Sequence, residues 1–177
     1  LCFWQLPTGK TLHRQSPRFN PKCPACSHAS ECNDHMFQCK AISRRRWKSS
    51  FIQSTRKRAE DCKTDPKLVH ILFAGIQSYF DSCRPPHSEF ADYPQTYRQL
   101  AIAQTTVGWD HLIRGQISSS WETIQQDNMY RTYLSVKFSP NTWHQKLLHP
   151  MLIGCHTPWT IRTGERHGTD KKAQRID

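Results

Sequence analysis

Apolar residues recur at helical spacing along most of the chain, and this pattern predicts a mainly α protein: a small CCHC zinc knuckle followed by an irregular helical bundle. The clearest stretch carries Leu68, Val69, Leu72, Phe73, Ile76, Tyr79 and Phe80. Asp65-Pro66 stands just ahead of it, an N-cap acceptor followed by a proline in the first turn. From about residue 40 an earlier helix can place Ile42, Trp47, Phe51, Ile52 and Ala59 on one face, with Arg44, Arg45, Lys48, Arg56 and Lys57 over much of the rest. Arg84-Pro85-Pro86-His87-Ser88 breaks the pattern as a linker.

A third helix is expected from Tyr97, Leu100, Ala101, Gln104, Val107 and Leu112, closing near Gly115. Ser119-Ser120-Trp121-Glu122 has capping-box spacing and should open a fourth, carrying Trp121, Ile124 and Tyr130. A last helical stretch groups Trp143, Leu147, Leu148 and Met151, but Pro150 and Pro158 interrupt it. Because a mid-helix proline costs about 3 kcal/mol, two short helices, a kinked helix or a locally damaged one are all expected there. Strand patterns are scarce, and Tyr133–Phe138 is the one weak candidate. Residues 1–22, punctuated by Pro7, Gly9, Pro17 and Pro21, read as extended or loop-like. The organisation expected is therefore a basic arm over 1–20, a knuckle over 21–40, a helical domain over 41–170 and a tail over 171–177.

Charge sharpens this division. Residues 1–60 hold 12 Lys+Arg against 3 Asp+Glu, whereas residues 61–177 hold 13 against 11. Nearly all of the net +11 therefore sits in the first third, the footprint expected for a polyanion partner. A chain that opens at Leu1 rather than Met reads as a piece of a longer open reading frame. No run of eighteen apolar residues and no basic-flanked signal segment occurs, so no membrane partner is expected. Eight cysteines without such a signal point to reduced thiols, metal ligation and an intracellular, nuclear or cytoplasmic setting.

The chemistry is concentrated in Cys23-Pro24-Ala25-Cys26, His35 and Cys39, a C-x2-C-x8-H-x3-C pattern. A CxxC turn presents two sulfurs to one ion, and His35 and Cys39, at i and i+4, share a face of a single helical turn that Asp34 can help to start. Cys32 and His28 lie inside the loop as alternative donors, with Cys32 requiring a tighter return. Four protein ligands leave no open position, so the one zinc ion expected is structural. It would also supply the folding energy that about twenty residues with few apolar side chains lack.

Other signals carry less. Thr8-Gly9-Lys10-Thr11 ends like a phosphate-binding loop, but Trp4 stands where the first glycine belongs. Phe90-Ala91-Asp92-Tyr93 offers one aspartate where a two-metal site needs paired carboxylates. His144, His149 and His156 are scattered by Pro150, and Cys62, Cys83 and Cys155 have no partner at ligand spacing. Trp47, Trp109, Trp121, Trp143 and Trp159 fit helix faces, leaving Phe3 and Trp4 as the aromatics considered for base stacking.

Three groups of residues, Gln5-Leu6-Pro7-Thr8-Gly9-Lys10-Thr11-Leu12-His13-Arg14, the Cys23–Cys26 turn, and Glu31 with Asp34–Cys39, together resemble the C-terminal, knuckle-containing region of retroelement reverse transcriptase polyproteins of the non-LTR type found in microalgae. The likeness continues in Gly108-Trp109, Arg114-Gly115, Ser118 with Trp121, and Trp159…Arg162…His167-Gly168. It implies Cys23, Cys26, His35 and Cys39 as ligands, and a role in handling element RNA or target DNA. Cys32, Pro150 and Pro158 depart from the pattern and fit a relic copy. Reverse transcriptase and endonuclease motifs are absent from the chain, so no enzyme is expected.

The function expected is a zinc-binding module contacting RNA or single-stranded DNA mainly through phosphates. Lys10, Arg14, Arg18, Lys22, Arg44, Arg45, Arg46 and Lys48 would make those contacts. Upstream domains of the parent polyprotein are expected partners, and a small-molecule substrate is not. The alternatives are an interaction module bracing that polyprotein, a non-functional relic, and, least supported, a nuclease using histidines.

Overall fold

The computed structural model of the chain describes residues 7–81, 87–133 and 139–168. Among these residues the structure is helical and contains no strand. The helices are α1 (Gly9–Gln15), α2 (Asn33–Gln38), α3 (Ile42–Asp61), α4 (Pro66–Phe80), α5 (Gln95–Val107), α6 (Trp109–Ile113), α7 (Ser120–Tyr133) and α8 (Pro140–His167), with a 3-10 turn at His87–Phe90. The chain divides into two units: a terminal unit made of residues 1–49 and 154–177, and a central unit made of residues 50–153. The last segment of the chain thus belongs with the first, rather than with the helices that immediately precede it.

The central unit is built on aliphatic and aromatic burial. Leu68, Ile71, Leu72, Ile76 and Phe80 of α4 are buried, as are Leu100, Leu112, Ile113, Trp121, Trp143, Leu147 and Met151. Asp65 caps α4 as expected, its carboxylate accepting from the Lys67 and Leu68 N–H groups at 2.7 and 3.3 Å. The expected third helix is two. Gly108, at φ 107°, ends α5, and α6 begins at the next residue. This break lets the Trp109 ring lie over Gly75, where a Cβ would come within 2.1 Å of the indole.

Two glutamines fix the helix joints. Gln104, fully buried, donates to the Gly108 and Gln116 carbonyls and accepts from the Ser118 N–H and the Trp121 indole N–H. Gln125 accepts from the Asp65 N–H at 2.8 Å and donates to the Lys63 carbonyl at 3.0 Å. Both residues bond backbone groups at or near helix ends, where the ladder leaves donors and acceptors free to take side-chain partners.

The last helix runs as helix from Pro140 to His167 through both prolines. Pro150 and Pro158 have no N–H, so the carbonyls four residues earlier, at Lys146 and Gly154, lose their helical donors. Each is taken by a side chain of α3. The Arg58 Nε–H donates to the Lys146 carbonyl at 2.9 Å within the central unit. The Trp47 indole N–H donates to the Gly154 carbonyl at 2.9 Å within the terminal unit. Of the expected outcomes, two separate helices are not what forms: the helix continues, and tertiary donors serve the two carbonyls that the prolines leave open.

Several expectations fall outside the described residues: the linker residues Arg84-Pro85-Pro86, residues 134–138 of the weak strand candidate, Cys83, Phe3, Trp4 and the tail. Tyr133 itself closes α7. No helix of the described residues is long and apolar enough to cross a membrane.

Candidate metal centre

The site begins with a tight turn. The Ser27 N–H donates to the Cys23 carbonyl at 2.9 Å, and the Cys23 N–H donates to the His28 carbonyl at 2.9 Å. Ser27 holds φ at 59°, the left-handed conformation that closes such a turn. These bonds bring Cys23 and Cys26 together. The return pair comes from α2, which carries His35 and ends at Cys39, whose N–H donates to the His35 carbonyl at 2.7 Å.

One ligand atom from each of Cys23, Cys26, His35 and Cys39 lies within 4.8 Å of all the others. The Cys23 and Cys39 sulfurs are 4.0 Å apart, and Cys26 Sγ lies 3.3 Å from His35 Nε2. Four donors this close can bind one metal ion. Cys32 does something else: its Sγ accepts from the His35 N–H at 3.4 Å as the N-cap of α2. His28 stacks its ring on His35 at 4.4 Å, with its Nδ1 turned to Ser30. One loop residue thus starts the ligand helix, and the other steadies the ligand ring.

Burial governs the protonation of the buried donors. Burial pushes the Cys23 thiol up to about 12 and raises that of Cys39. Burial, with His28 alongside, lowers the pKa of His35. A low-dielectric pocket disfavours thiolate and imidazolium alike; a positive ion among the sulfurs would favour the thiolates and keep the imidazole neutral.

Glu31, one residue from the capping cysteine, organises everything around the turn. Its carboxylate is 1 % exposed and accepts from the Gly9 N–H at 2.7 Å, from Arg162 at 2.9–3.2 Å and from Arg166 at 3.1 Å. Its own N–H donates to the Pro21 carbonyl, and its carbonyl accepts from the Lys10 N–H. Arg166 also donates to the Asn20 and Lys22 carbonyls. Burial, then the neighbouring Arg162, lowers the Arg166 pKa, with Glu31 opposing both. The segment expected to be loop therefore contains α1, capped by Thr8 and anchored through Gly9. There is no room for a side chain at Gly9, where a Cβ would meet the Pro21 carbonyl oxygen at 2.8 Å. The phosphate-loop resemblance is also explained: the helix N-terminus already holds an anion, the Glu31 carboxylate.

The basic residues divide. Lys10, Arg14, Arg18, Lys22, Arg45 and Arg46 are exposed, and Lys48 is half-buried. Arg44 leaves the phosphate-contacting set, because it is 1 % exposed and bound to Glu165 at 2.8 Å. Its helical position one turn from Trp47 turns it inward, and Ser43 donates to the same carboxylate at 2.7 Å. Arg162, Arg166 and Glu165 were missed as a group because they lie more than 120 residues from their partners. The available hint was spacing: Arg162 and Arg166 stand at i and i+4 on α8.

The stray histidines are not grouped: His144 pairs with Glu122 at 2.7 Å, His156 is exposed with its Nδ1 3.3 Å from the Thr160 hydroxyl, and His149 is exposed. Cys62 is half-buried and Cys155 buried. Compared with known proteins, the chain matches no family model, no curated protein and no solved structure.

Proposed function

We propose that the terminal unit is a zinc-organised module that binds RNA or single-stranded DNA through phosphates, and that it derives from the C-terminal region of a non-LTR-type retroelement polyprotein. The observation that carries the reading is the Cys23, Cys26, His35 and Cys39 cluster, set among exposed cations within one unit. Zinc fits this donor set. Three thiolates and an imidazole are ligands it favours, and a tetrahedral ion with bonds of about 2.3 and 2.0 Å separates sulfurs by about 3.8 Å and sulfur from nitrogen by about 3.6 Å. The observed 4.0 and 3.3 Å lie close to both. The zinc would supply the positive charge that keeps the buried thiols ionised, and with four protein ligands its role is structural.

Lys10, Arg14, Arg18 and Lys22 precede or enter the knuckle, and Arg45, Arg46 and Lys48 follow it. No acidic residue occurs between Pro7 and Ser30, and Glu31 is buried against two arginines. Asp34 is the exposed acid among residues 7–49, against the seven cations just named, so the field there is predominantly positive, as phosphate binding requires. The anchors of the retroelement resemblance fall at structural joints: Glu31 pairs with Arg162, while Gly108, Ser118 and Trp121 all bond to Gln104.

The test is binding of a labelled single-stranded RNA by the full chain across a salt series. The expected result is a log affinity that falls linearly with log salt. Replacing Lys10, Arg14, Arg18 and Lys22 together by Gln should flatten that slope by up to about 3. An affinity indifferent to salt would sink the proposal.

A further inference from the structure

Between α1 and the Cys23–Cys26 turn, a partly exposed aromatic residue sits on a chain segment that is itself pinned. Phe19 is 42 % exposed, whereas Phe37 and Trp47 of the same unit are buried. Its backbone is fixed on both sides. The His13 Nδ1–H donates to the Phe19 carbonyl at 2.7 Å, and the Phe19 N–H donates to the Ser16 carbonyl at 3.1 Å. The next residue is tied twice more: the Asn20 side chain accepts from the Lys22 N–H, and the Asn20 carbonyl accepts from Arg166. Exposing a large apolar ring costs stability, and here the backbone bonds prevent the segment from collapsing over it.

The neighbours of Phe19 along the chain include cations. Arg18 adjoins it, Arg14 and Lys22 lie within five residues, and Lys10 shares a face of α1 with Arg14 at i,i+4. All four are exposed. A preplaced aromatic face bordered by phosphate-neutralising side chains is the arrangement by which proteins hold unpaired bases. Duplex DNA or RNA, whose bases are stacked within the helix, offers no free face to such a ring.

We infer that Phe19 is a stacking platform for a nucleobase of single-stranded nucleic acid, with Arg14, Arg18 and Lys22 holding the adjoining phosphates. The inference rests on the nucleic-acid reading above and narrows it, from polyanion binding in general to single strands whose bases are accessible. His13 is a positioning residue here, since it acts through the Phe19 carbonyl.

The experiment measures anisotropy of labelled 20-mer oligo-U, oligo-dT and a 20-base-pair duplex, with the full zinc-loaded chain as wild type, Phe19→Ala and Phe19→Trp. Stacking on one base predicts that Phe19→Ala weakens single-strand binding about 5- to 100-fold. Duplex binding should stay within about two-fold and the salt slope should not change, because a ring releases no counterions. Phe19→Trp should restore or exceed wild-type affinity. The two single-strand probes separate RNA from DNA preference, and a loss on whichever the wild type binds supports the platform. Zinc content equal to wild type shows that each variant is folded around its metal. If wild type binds in a salt-dependent way and Phe19→Ala binds equally well, or loses duplex and single-strand affinity alike, the platform is overturned while the phosphate reading stands. If wild type binds none of the probes, the nucleic-acid reading itself falls.

Discussion

The two units bury different things. In the central unit the interior is mainly Leu, Ile, Phe and Trp, with neutral amides at the joints, as in Gln104 and Gln125, and one buried carboxylate, Asp65, held by N–H and O–H donors. In the terminal unit the buried set includes Cys23, Cys39, Glu31, Arg44 and Arg162 beside a few apolar residues such as Met36, Phe37 and Trp47. The first interior draws its stability mainly from apolar burial. The second places ions and thiols out of water, which is costly unless every charge has its partner. If the cluster binds its proposed metal, stability in the terminal unit should be conditional on that ion and on the ion pairs, whereas the central unit should carry its own.

Removing the metal tests this most severely. Cys39→Ser should abolish binding of one zinc per chain, and with it about 10–16 kcal/mol of binding free energy that folds such sites. Hydrogen exchange should then show lost protection through residues 21–49, while Leu68–Phe80 keeps its protection. Chelation of the wild type should give the same pattern. Equal loss in both units would mean that the contrast is false.

The second test removes a charge without removing the metal ligands. Glu31→Gln leaves Arg162, 2 % exposed, without a counter-charge. Breaking a buried pair on one side costs about 3–5 kcal/mol. The expected outcome is a lower denaturation midpoint with exchange accelerated over Gly9–Gln15 and over residues 154–167, whereas Glu165→Gln, at a more exposed carboxylate, should cost less. A Glu31→Gln midpoint equal to wild type would show that the buried ions are incidental.

What could be read from the chain beforehand follows the same division. In the central unit, periodicity and capping chemistry are local, and α4 with its Asp65-Pro66 start was visible residue by residue. The clustering of the candidate metal donors was equally visible, because Cys23, Cys26, His35 and Cys39 lie within one short segment and ligand spacing is a local constraint. The continuous α8 was not legible. Pro150 and Pro158 argue for a break, and the donors that relieve it, Arg58 and Trp47, are 88 and 107 residues from the carbonyls they serve. Arg44 misled for the same reason. In the sequence it is one of three consecutive arginines, and only the distant Glu165 distinguishes it. Helix α1 was hidden because seven residues carry too little propensity to be recognised without the Glu31 carboxylate that anchors them.

A neutral joint should fail more mildly than a charged one. Gln104→Leu keeps the volume and removes four hydrogen bonds, leaving the Trp121 indole N–H and the Ser118 N–H without their acceptor. About 2–3 kcal/mol is expected from buried donors left unsatisfied. The loss should appear in urea unfolding of the central unit, with zinc content unchanged. A variant that also released zinc would contradict the separation of the two kinds of interior.

The smallest effect expected is also in the central unit and depends on pH. The Tyr97 hydroxyl donates to the Asp65 carboxylate at 2.8 Å, and burial, followed by this bond, raises the phenol above its ordinary value. The folded chain thus holds the Tyr97 proton more tightly than the unfolded chain, where a tyrosine ionises near pH 10. The stabilisation is complete below that pH and declines as pH rises through it, because the unfolded state then gains by losing the proton first. Tyr97→Phe should cost about 1.5 kcal/mol at neutral pH, the worth of a hydrogen bond to a charged group. The gap between wild type and Tyr97→Phe should narrow above about pH 10, since phenylalanine has no proton to lose. A gap constant from pH 7 to pH 11 would mean that the phenol does not depend on Asp65, and that the cap of α4 is held by the Lys67 and Leu68 N–H groups alone.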